Sequence, residues 1–385
     1  MLPLRSRLNR RQVLFCAVLT FVPVSAWFLP VAIGNAADEK TGIDPAKVAQ
    51  ARAQAIEFLR TSQRDDGSWT VDNAPGISGL VTWGLLRAGV KPADPMVAKA
   101  LQYLATFVQG DGGIYYAKSD HRNYETSICL LAFQAANGDH RYDKLIANAR
   151  DFLKKLQWDD SEDVKPDDVR FGGAGYGKSQ RPDLSNTAFL LDALKAAGVG
   201  KDDPAMKNAI IFVSRCQNLE SEFNTTPFAS KVNDGGFYYT PAGGGNSQAG
   251  PTENGGLRSY ASMTYAGLKS MIYAGVDAKD PRVQAAFKWL QKHYSIDENP
   301  GMGQSGLFYY YHTFAKALDA MNVKIMEDAT GKKHDWRVEL TNHLLSLQKE
   351  NGSWVNPDKR WMEGDPNMAT AYTLLTLAYS APIGR

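Results

Sequence analysis

Gln63-Arg64-Asp65-Asp66-Gly67-Ser68-Trp69 returns near the far end of the chain as Gln348-Lys349-Glu350-Asn351-Gly352-Ser353-Trp354. In both stretches a glutamine ends a helical segment and a glycine then precedes an aromatic. The glutamine can bond open backbone groups at the helix end, the glycine permits a tight turn, and the tryptophan packs on the glutamine amide. Four further turns follow the same plan: Asp111-Gly112-Gly113-Ile114-Tyr115, Gly172-Gly173-Ala174-Gly175-Tyr176, Asp234-Gly235-Gly236-Phe237-Tyr238 and Gly303-Gln304-Ser305-Gly306-Leu307-Phe308. Six turns of one kind are an internal repeat, and a repeat governs the reading of everything around it.

An amphipathic helix precedes each turn and an apolar helix follows it. The first set is centred on Phe58, Tyr103, Phe152, Phe212, Trp289 and Leu344; the second covers roughly 78–88, 124–137, 185–197, 260–274, 310–321 and 367–379. Several of the second set stop at a glycine, as in Ala88-Gly89, Asn137-Gly138, Ala197-Gly198 and Ala274-Gly275, the usual helix terminator. Phe152-Leu153-Lys154-Lys155-Leu156-Gln157 keeps a polar face, whereas Leu374-Leu375-Thr376-Leu377-Ala378-Tyr379 is apolar nearly all round. A helix of the second kind must be surrounded by protein. Six exposed and six buried helices in alternation predict an outer ring around an inner ring: an all-α, double-ring (α/α)6 toroid over residues 37–385. Closing the ring leaves no end repeat to be capped.

The Gln…Gly-Ser-Trp segments resemble the QW repeat of squalene cyclases. The Asp-Gly-Gly-aromatic turns resemble those of protein prenyltransferase β subunits. The likeness runs over about residues 47–380. It implies a toroid of the terpenoid cyclase and protein prenyltransferase type, whose central cavity takes an isoprenoid. Class II cyclases of that family protonate substrate with Asp-x-Asp-Asp. This chain carries Asp65-Asp66, Asp159-Asp160, Asp167-Asp168 and Asp202-Asp203 but no such motif. Prenyltransferase β subunits bind zinc through Asp-x-Cys and a distant His. The matching helix here reads Ser259-Tyr260-Ala261-Ser262-Met263-Thr264, so no metal and no other cofactor is expected.

Composition narrows the classes. In 385 residues, 43 Lys and Arg stand against 41 Asp and Glu, which leaves no basic excess for a nucleic-acid partner. Residues 1–12 hold Arg5, Arg7, Arg10 and Arg11 and no acid; Val13 to Ile33 is apolar; Gly34-Asn35-Ala36 supplies small residues for a peptidase. That order reads as an export signal over 1–36, and Arg10-Arg11-Gln12-Val13-Leu14 resembles the twin-arginine type. If it stays uncleaved, the segment is an anchor and the only membrane contact. Export to the periplasm or beyond is the expected localisation. Cleavage removes four basic residues and no acid, turning the formal charge from +2 to −2. Cys16 gets no role, and Cys129 and Cys216 read as buried free thiols.

The inner helices are expected to start around one mouth. Ser78, Ser127, Thr187, Thr264, Tyr311 and Thr370 align there, as caps and close-packing residues or as a polar cavity floor. Glu125 and His312 flank that ring. A carboxylate and an imidazole facing one cavity form an acid/base pair; otherwise Glu125 caps its helix and His312 bonds a carbonyl. Trp83, Tyr124, Tyr260, Tyr265, Tyr309, Tyr310 and Tyr311 crowd the same side, as core or as the lining for an apolar chain, a carbocation or a sugar ring. Three segments break the repeat: acidic 159–170, glycine-rich 240–257, and Arg360-Trp361-Met362-Glu363-Gly364-Asp365-Pro366-Asn367. Glu363 and Asp365 there either rim the mouth or complement the sixth inner helix. Three functions fit: a cavity that binds and transforms an isoprenoid-like molecule; a scaffold holding a protein through 240–257; and a carbohydrate-active toroid with paired carboxylates.

Overall fold

The computed structural model describes residues 42–177 and 181–383. The expected export signal and Cys16 lie outside them. The helices are α1 (Pro45–Thr61), α2 (Pro75–Arg87), α3 (Pro95–Ala105), α4 (Arg122–Ala136), α5 (Asp143–Lys154), α6 (Leu184–Ala196), α7 (Pro204–Arg215), the single turn α8 (Ala229–Val232), α9 (Ala261–Tyr273), α10 (Pro281–Lys292), α11 (Leu307–Ala320), α12 (Trp336–Leu347) and α13 (Pro366–Ser380). A two-residue antiparallel ladder, β1 (Met326–Glu327) with β2 (Lys333–His334), precedes α12. Among the described residues no helix is long and apolar enough to cross a membrane.

Asp-Pro pairs start α1, α3, α7 and α10. Asp44, Asp94, Asp203 and Asp280 each accept from an amide of the first turn, and the proline that follows is already set for a helix. These helices bury one stripe only, Val48, Ala51, Ala55 and Leu59 in α1. By contrast α2 buries every residue from Pro75 to Leu85. The inner helices α2, α4, α6, α9, α11 and α13 pack in that order, and α13 returns onto α2. Outside them stand α1, α3, α5, α7, α10 and α12, with α1 meeting both α12 and α13. The expected (α/α)6 toroid is the fold.

The repeated glutamine closes the outer ring. Gln63 Nε2 donates to Gly67 O in its own turn and to Met96 O at the start of the next outer helix. Gln157 spans Gly172 O and Ala205 O in the same way, and Gln217 spans Gly235 O and Arg282 O. Gln348 spans Gly352 O and Ala51 O, which ties the sixth repeat to the first. The tryptophans do more than cover the amides: Trp69 Nε1 donates to Leu59 O and Trp354 Nε1 to Leu344 O, each at 2.8 Å. Glycine is obligatory at the turn. At Gly172, φ is +83° and an added Cβ would lie 1.8 Å from Asn208 O.

Two expectations shift. Inner helices start up to three residues early, because Pro75 and Pro366 serve as first helical residues and Gly306, at φ +67°, turns the chain into α11. The aligned hydroxyls are staples rather than a cavity floor. Ser78, Thr187, Thr264 and Thr370 accept from the turn amides of Trp69, Ala174, Phe237 and Trp354 at 3.0–3.1 Å. In the second repeat this residue is Thr126, which takes Ile114 N, while Ser127 bonds Asn123. Cys129 and Cys216 are free and buried, and burial pushes both thiols well up.

Candidate functional site

The first turns of the six inner helices surround a cavity of about 370 Å³. Gly76 and Ile77 come from α2, Tyr124 and Glu125 from α4, Ser185 and Phe189 from α6, Ser262 and Met263 from α9, Tyr309 from α11, and Met368 and Tyr372 from α13. Connecting segments add Val71, His121, Tyr176, Tyr239, Gln248, Trp361, Met362 and Glu363. Aromatic rings meet in sequence across it: Tyr124 with Phe189 at 5.2 Å, Phe189 with Tyr309 at 6.0 Å, Tyr309 with Tyr372 at 6.1 Å. The Tyr309 phenol pairs with the Ser185 hydroxyl at 3.1 Å. Burial lifts these phenols far above the ordinary value, so all remain neutral.

Both carboxylates in the lining are occupied. Glu125 accepts from Tyr116 N at 2.9 Å and Ser119 Oγ at 2.7 Å, and burial raises its pKa against those bonds. Glu363 accepts from Phe308 N, Tyr309 N and Asn356 Nδ2 at 2.8–3.1 Å, capping α11. Its pKa is also raised by burial. Asp365 caps α13 through Met368 N. Among the described residues no lysine or arginine lines the cavity.

Of the residues expected at the mouth, Glu125, Tyr124, Tyr260 and Tyr309 line the cavity; Trp83, Tyr265, Tyr310, Tyr311 and His312 do not. The early start of α11 is the reason. It turns Tyr309 inward and sends the Tyr310 hydroxyl to Ser295 O and the Tyr311 hydroxyl to Ile296 O and His343 Nε2. Tyr265 packs with Tyr310 and Phe314. His312 lies beneath the cavity, where its ring meets Trp83, Tyr372 and Tyr379 at 5.5–6.1 Å. Among the described residues neither ring nitrogen has a hydrogen-bond partner. Burial, then the Lys316 charge, holds the imidazole well below its usual pKa and therefore neutral. Glu125 and His312 thus do not face each other across one cavity. Below the floor, Asp192 of α6 takes Lys269 of α9 at 2.6 Å and Lys316 of α11 at 2.7 Å, and Lys316 Nζ sits 5.0 Å above the Trp83 ring.

Sequence reasoning missed Phe189, Tyr372, Tyr176 and Tyr239. The doublet Tyr238-Tyr239 carried a signal: Tyr238 donates inward to Arg215 O at 2.6 Å, and its alternating neighbour is left for the cavity. The glycine-rich segment 240–257 folds against the mouth. Thr240 pairs with Asn246 and Pro251 with Leu257, and Arg360 donates to Gln248. Among the described residues no group of three or more His, Cys, Asp or Glu is placed to hold a metal ion.

No family model matches the chain. Over 146 residues it is 30% identical to a probable squalene–hopene cyclase of Sinorhizobium fredii, covering 33% of this chain and 21% of that protein. Over 152 residues it is 29% identical to a squalene–hopene cyclase of Bradyrhizobium diazoefficiens, covering 34% and 22%. The match spans about a fifth of the length of these curated relatives. Among solved structures, the type II terpene cyclase MstE from Scytonema superposes with TM-score 0.51 at 14% identity, covering 88% of this chain and 99% of that one. A variant of it in complex with geranylgeranyl dihydroxybenzoate, described as substrate, gives 0.52 at 14% identity, covering 88% and 98%. A polysaccharide lyase gives 0.54 at 10% identity, covering 86% and 95%. The chain has an α/α toroid fold like that of the type II terpene cyclase MstE.

Proposed function

We propose that the cavity binds an apolar isoprenoid-type chain and that Glu125 handles a proton in its conversion. The observation that carries this reading is the lining itself. Tyr124, Phe189, Tyr309 and Tyr372 form the floor, and Ile77, Met263, Met362 and Met368 extend it. With no lysine or arginine among the described wall residues and both carboxylates occupied, apolar burial dominates the binding energy, at roughly 25 cal/mol per Å². Glu125 suits proton transfer because burial shifts it toward neutrality while it still faces the cavity. Action outside the cytoplasm follows from the signal pattern of residues 1–36. The protein is to be incubated with total membrane lipid and its bound molecules identified by mass spectrometry. An isoprenoid is expected, and Met263→Trp, which fills the cavity, abolishes its retention. Glu125→Gln retains the ligand and loses conversion. Recovery of no lipid from the wild-type protein removes the reading. Changing Arg10 and Arg11 to Lys is expected to stop export in a fractionation experiment.

A sugar ligand is the second reading. It is favoured by one observation, the exposed Trp361 ring at the mouth, which can stack on a pyranose. Retention of oligosaccharides in place of lipids, lost in Trp361→Ala, would establish it instead.

A further inference from the structure

One short loop holds the Glu125 carboxylate. Ahead of α4 the chain turns at 116–119, where Ser119 N donates to Tyr116 O at 2.8 Å. From that turn two donors reach the side chain in the first turn of α4: Tyr116 N to Glu125 Oε2 at 2.9 Å and Ser119 Oγ to Glu125 Oε1 at 2.7 Å. His121 N donates to Ser119 Oγ at 2.9 Å, and Glu125 N to His121 O at 2.9 Å. An amide can only donate, so His121 takes a lone pair of the hydroxyl and leaves the Ser119 proton for Glu125. Each carboxylate oxygen thus has its own donor, while the side chain, only 7% exposed, also lines the cavity.

An acid in an apolar cavity meets a conflict. Burial makes it hold its proton, and a carboxylate formed there has little water to receive it. Donors already in place offset that cost, because a hydrogen bond to an ionised oxygen is stronger than one to a neutral carboxyl. We propose that Ser119 is a positioning residue that sets the acid strength of Glu125, by bonding the carboxylate left when the proton passes to the ligand. In that step the Glu125 O–H bond breaks and its electron pair stays on the carboxylate. The proton forms a bond to a π-bonded carbon of the ligand, and Ser119 and Tyr116 keep their own protons. The inference rests on the reading of Glu125 as the proton-handling group of an isoprenoid cavity and adds what tunes it.

Around Glu125 the titratable groups are Tyr124 and Cys129 on α4, His121 before it, Tyr176 from the following turn, and Tyr372 and Glu363 across the cavity. Burial keeps the phenols and the thiol neutral, and Glu363 has three donors of its own. From α2 comes Gly76, where an added Cβ would lie 3.5 Å from Glu125 Cγ. Arg122 lies over the Tyr115 ring at 5.0 Å and bonds the Ser119 carbonyl, and Lys118 and Asp120 of the loop are exposed. Burial raises the Glu125 pKa, and the Ser119 bond, then the Tyr116 amide, act against it.

The test is carbon-13 NMR of the full chain labelled at the glutamate carboxyl carbon and titrated from pH 4 to pH 9, with the Glu125 signal assigned by its loss in Glu125→Gln. Ser119→Ala is expected to move the Glu125 midpoint upward by about one pH unit, a roughly tenfold weaker acid. Ser119→Thr keeps the hydroxyl and should stay within about twofold of the wild-type protein. With total membrane lipid, Ser119→Ala should retain as much isoprenoid as the wild-type protein, convert it more slowly, and show the alkaline limb of its pH profile moved up with the midpoint. A midpoint left in place by Ser119→Ala, or moved equally by Ser119→Thr, overturns the proposal while leaving the isoprenoid reading intact. If the wild-type protein retains no lipid, the isoprenoid reading itself fails and this inference falls with it.

Discussion

Glu363 and Asp183 are both buried carboxylates, and they differ in what their burial achieves. Glu363 reaches from the segment before α13 to satisfy two free amides at the start of α11. Glu363→Ala should leave those amides unpartnered and Asn356 Nδ2 with Gln304 O alone, lowering stability by about 2–4 kcal/mol in chemical denaturation. Asp183 works against the fold at neutral pH. Its folded pKa of about 6 exceeds the unfolded value near 3.8, so the folded state binds the proton more tightly. The term therefore favours folding below about pH 4 and is lost as pH rises through 6, by about 3 kcal/mol in all. The stability difference between Asp183→Asn and the wild-type protein should accordingly move in the variant's favour between pH 4 and pH 7. A flat difference would mean that Asp183 is not buried as described.

Four of the six repeats are joined to the next by one glutamine and one glycine, and these carry more of the architecture than their size suggests. Gln348→Ala should remove the bonds to Ala51 O and Gly352 O that tie α12 to α1, at about 1–3 kcal/mol, and open amide exchange in α1 and α12 ahead of the inner helices. Gly172→Ala is the harsher change. Its Cβ would strike the Asn208 carbonyl, so α7 must move, and a loss above about 3 kcal/mol or failure to fold is expected in thermal melts. The early start of α11 belongs here too. Gly306 adopts the left-handed turn that begins the helix, and Glu363 holds the first amides, so a contact from the sixth repeat sets which tyrosine of the fifth reaches the cavity.

Across the barrel, the inner ring is pinned at its centre by charge. Asp192, Lys269 and Lys316 join three inner helices, each side chain at most 5% exposed. Asp192→Asn would leave two buried ammonium groups facing each other, costing more than ~3 kcal/mol. Burial lowers the Lys269 pKa to about 8 from 10.5, despite Asp192. The folded state then releases its proton first, so stability from this group is lower below pH 8 and rises as pH climbs from 8 toward 10.5, by about 3 kcal/mol. Lys269→Met should lack that rise in urea titrations taken at pH 7.5 and pH 10. The same pinning keeps α6, α9 and α11, which carry Phe189, Met263 and Tyr309, in fixed relation around the cavity.

Glycine turns, helix periodicity and the two helix compositions are local properties, and they were enough to derive the double ring and the end of the barrel where a cavity forms. Glu125, Tyr124, Tyr260 and Tyr309 could be found the same way, as first-turn residues of buried helices. Which face of α11 looks inward could not, because a three-residue change in its start rotates every side chain by most of a turn, and Gly306 and Glu363 together decide that start. Nor could the Leu184–Tyr239 backbone bond that brings Tyr239 to the cavity, since residues 55 positions apart share no local pattern. Local free energies set what each segment becomes; burial and hydrogen-bond closure between distant segments select which of its atoms meet the cavity.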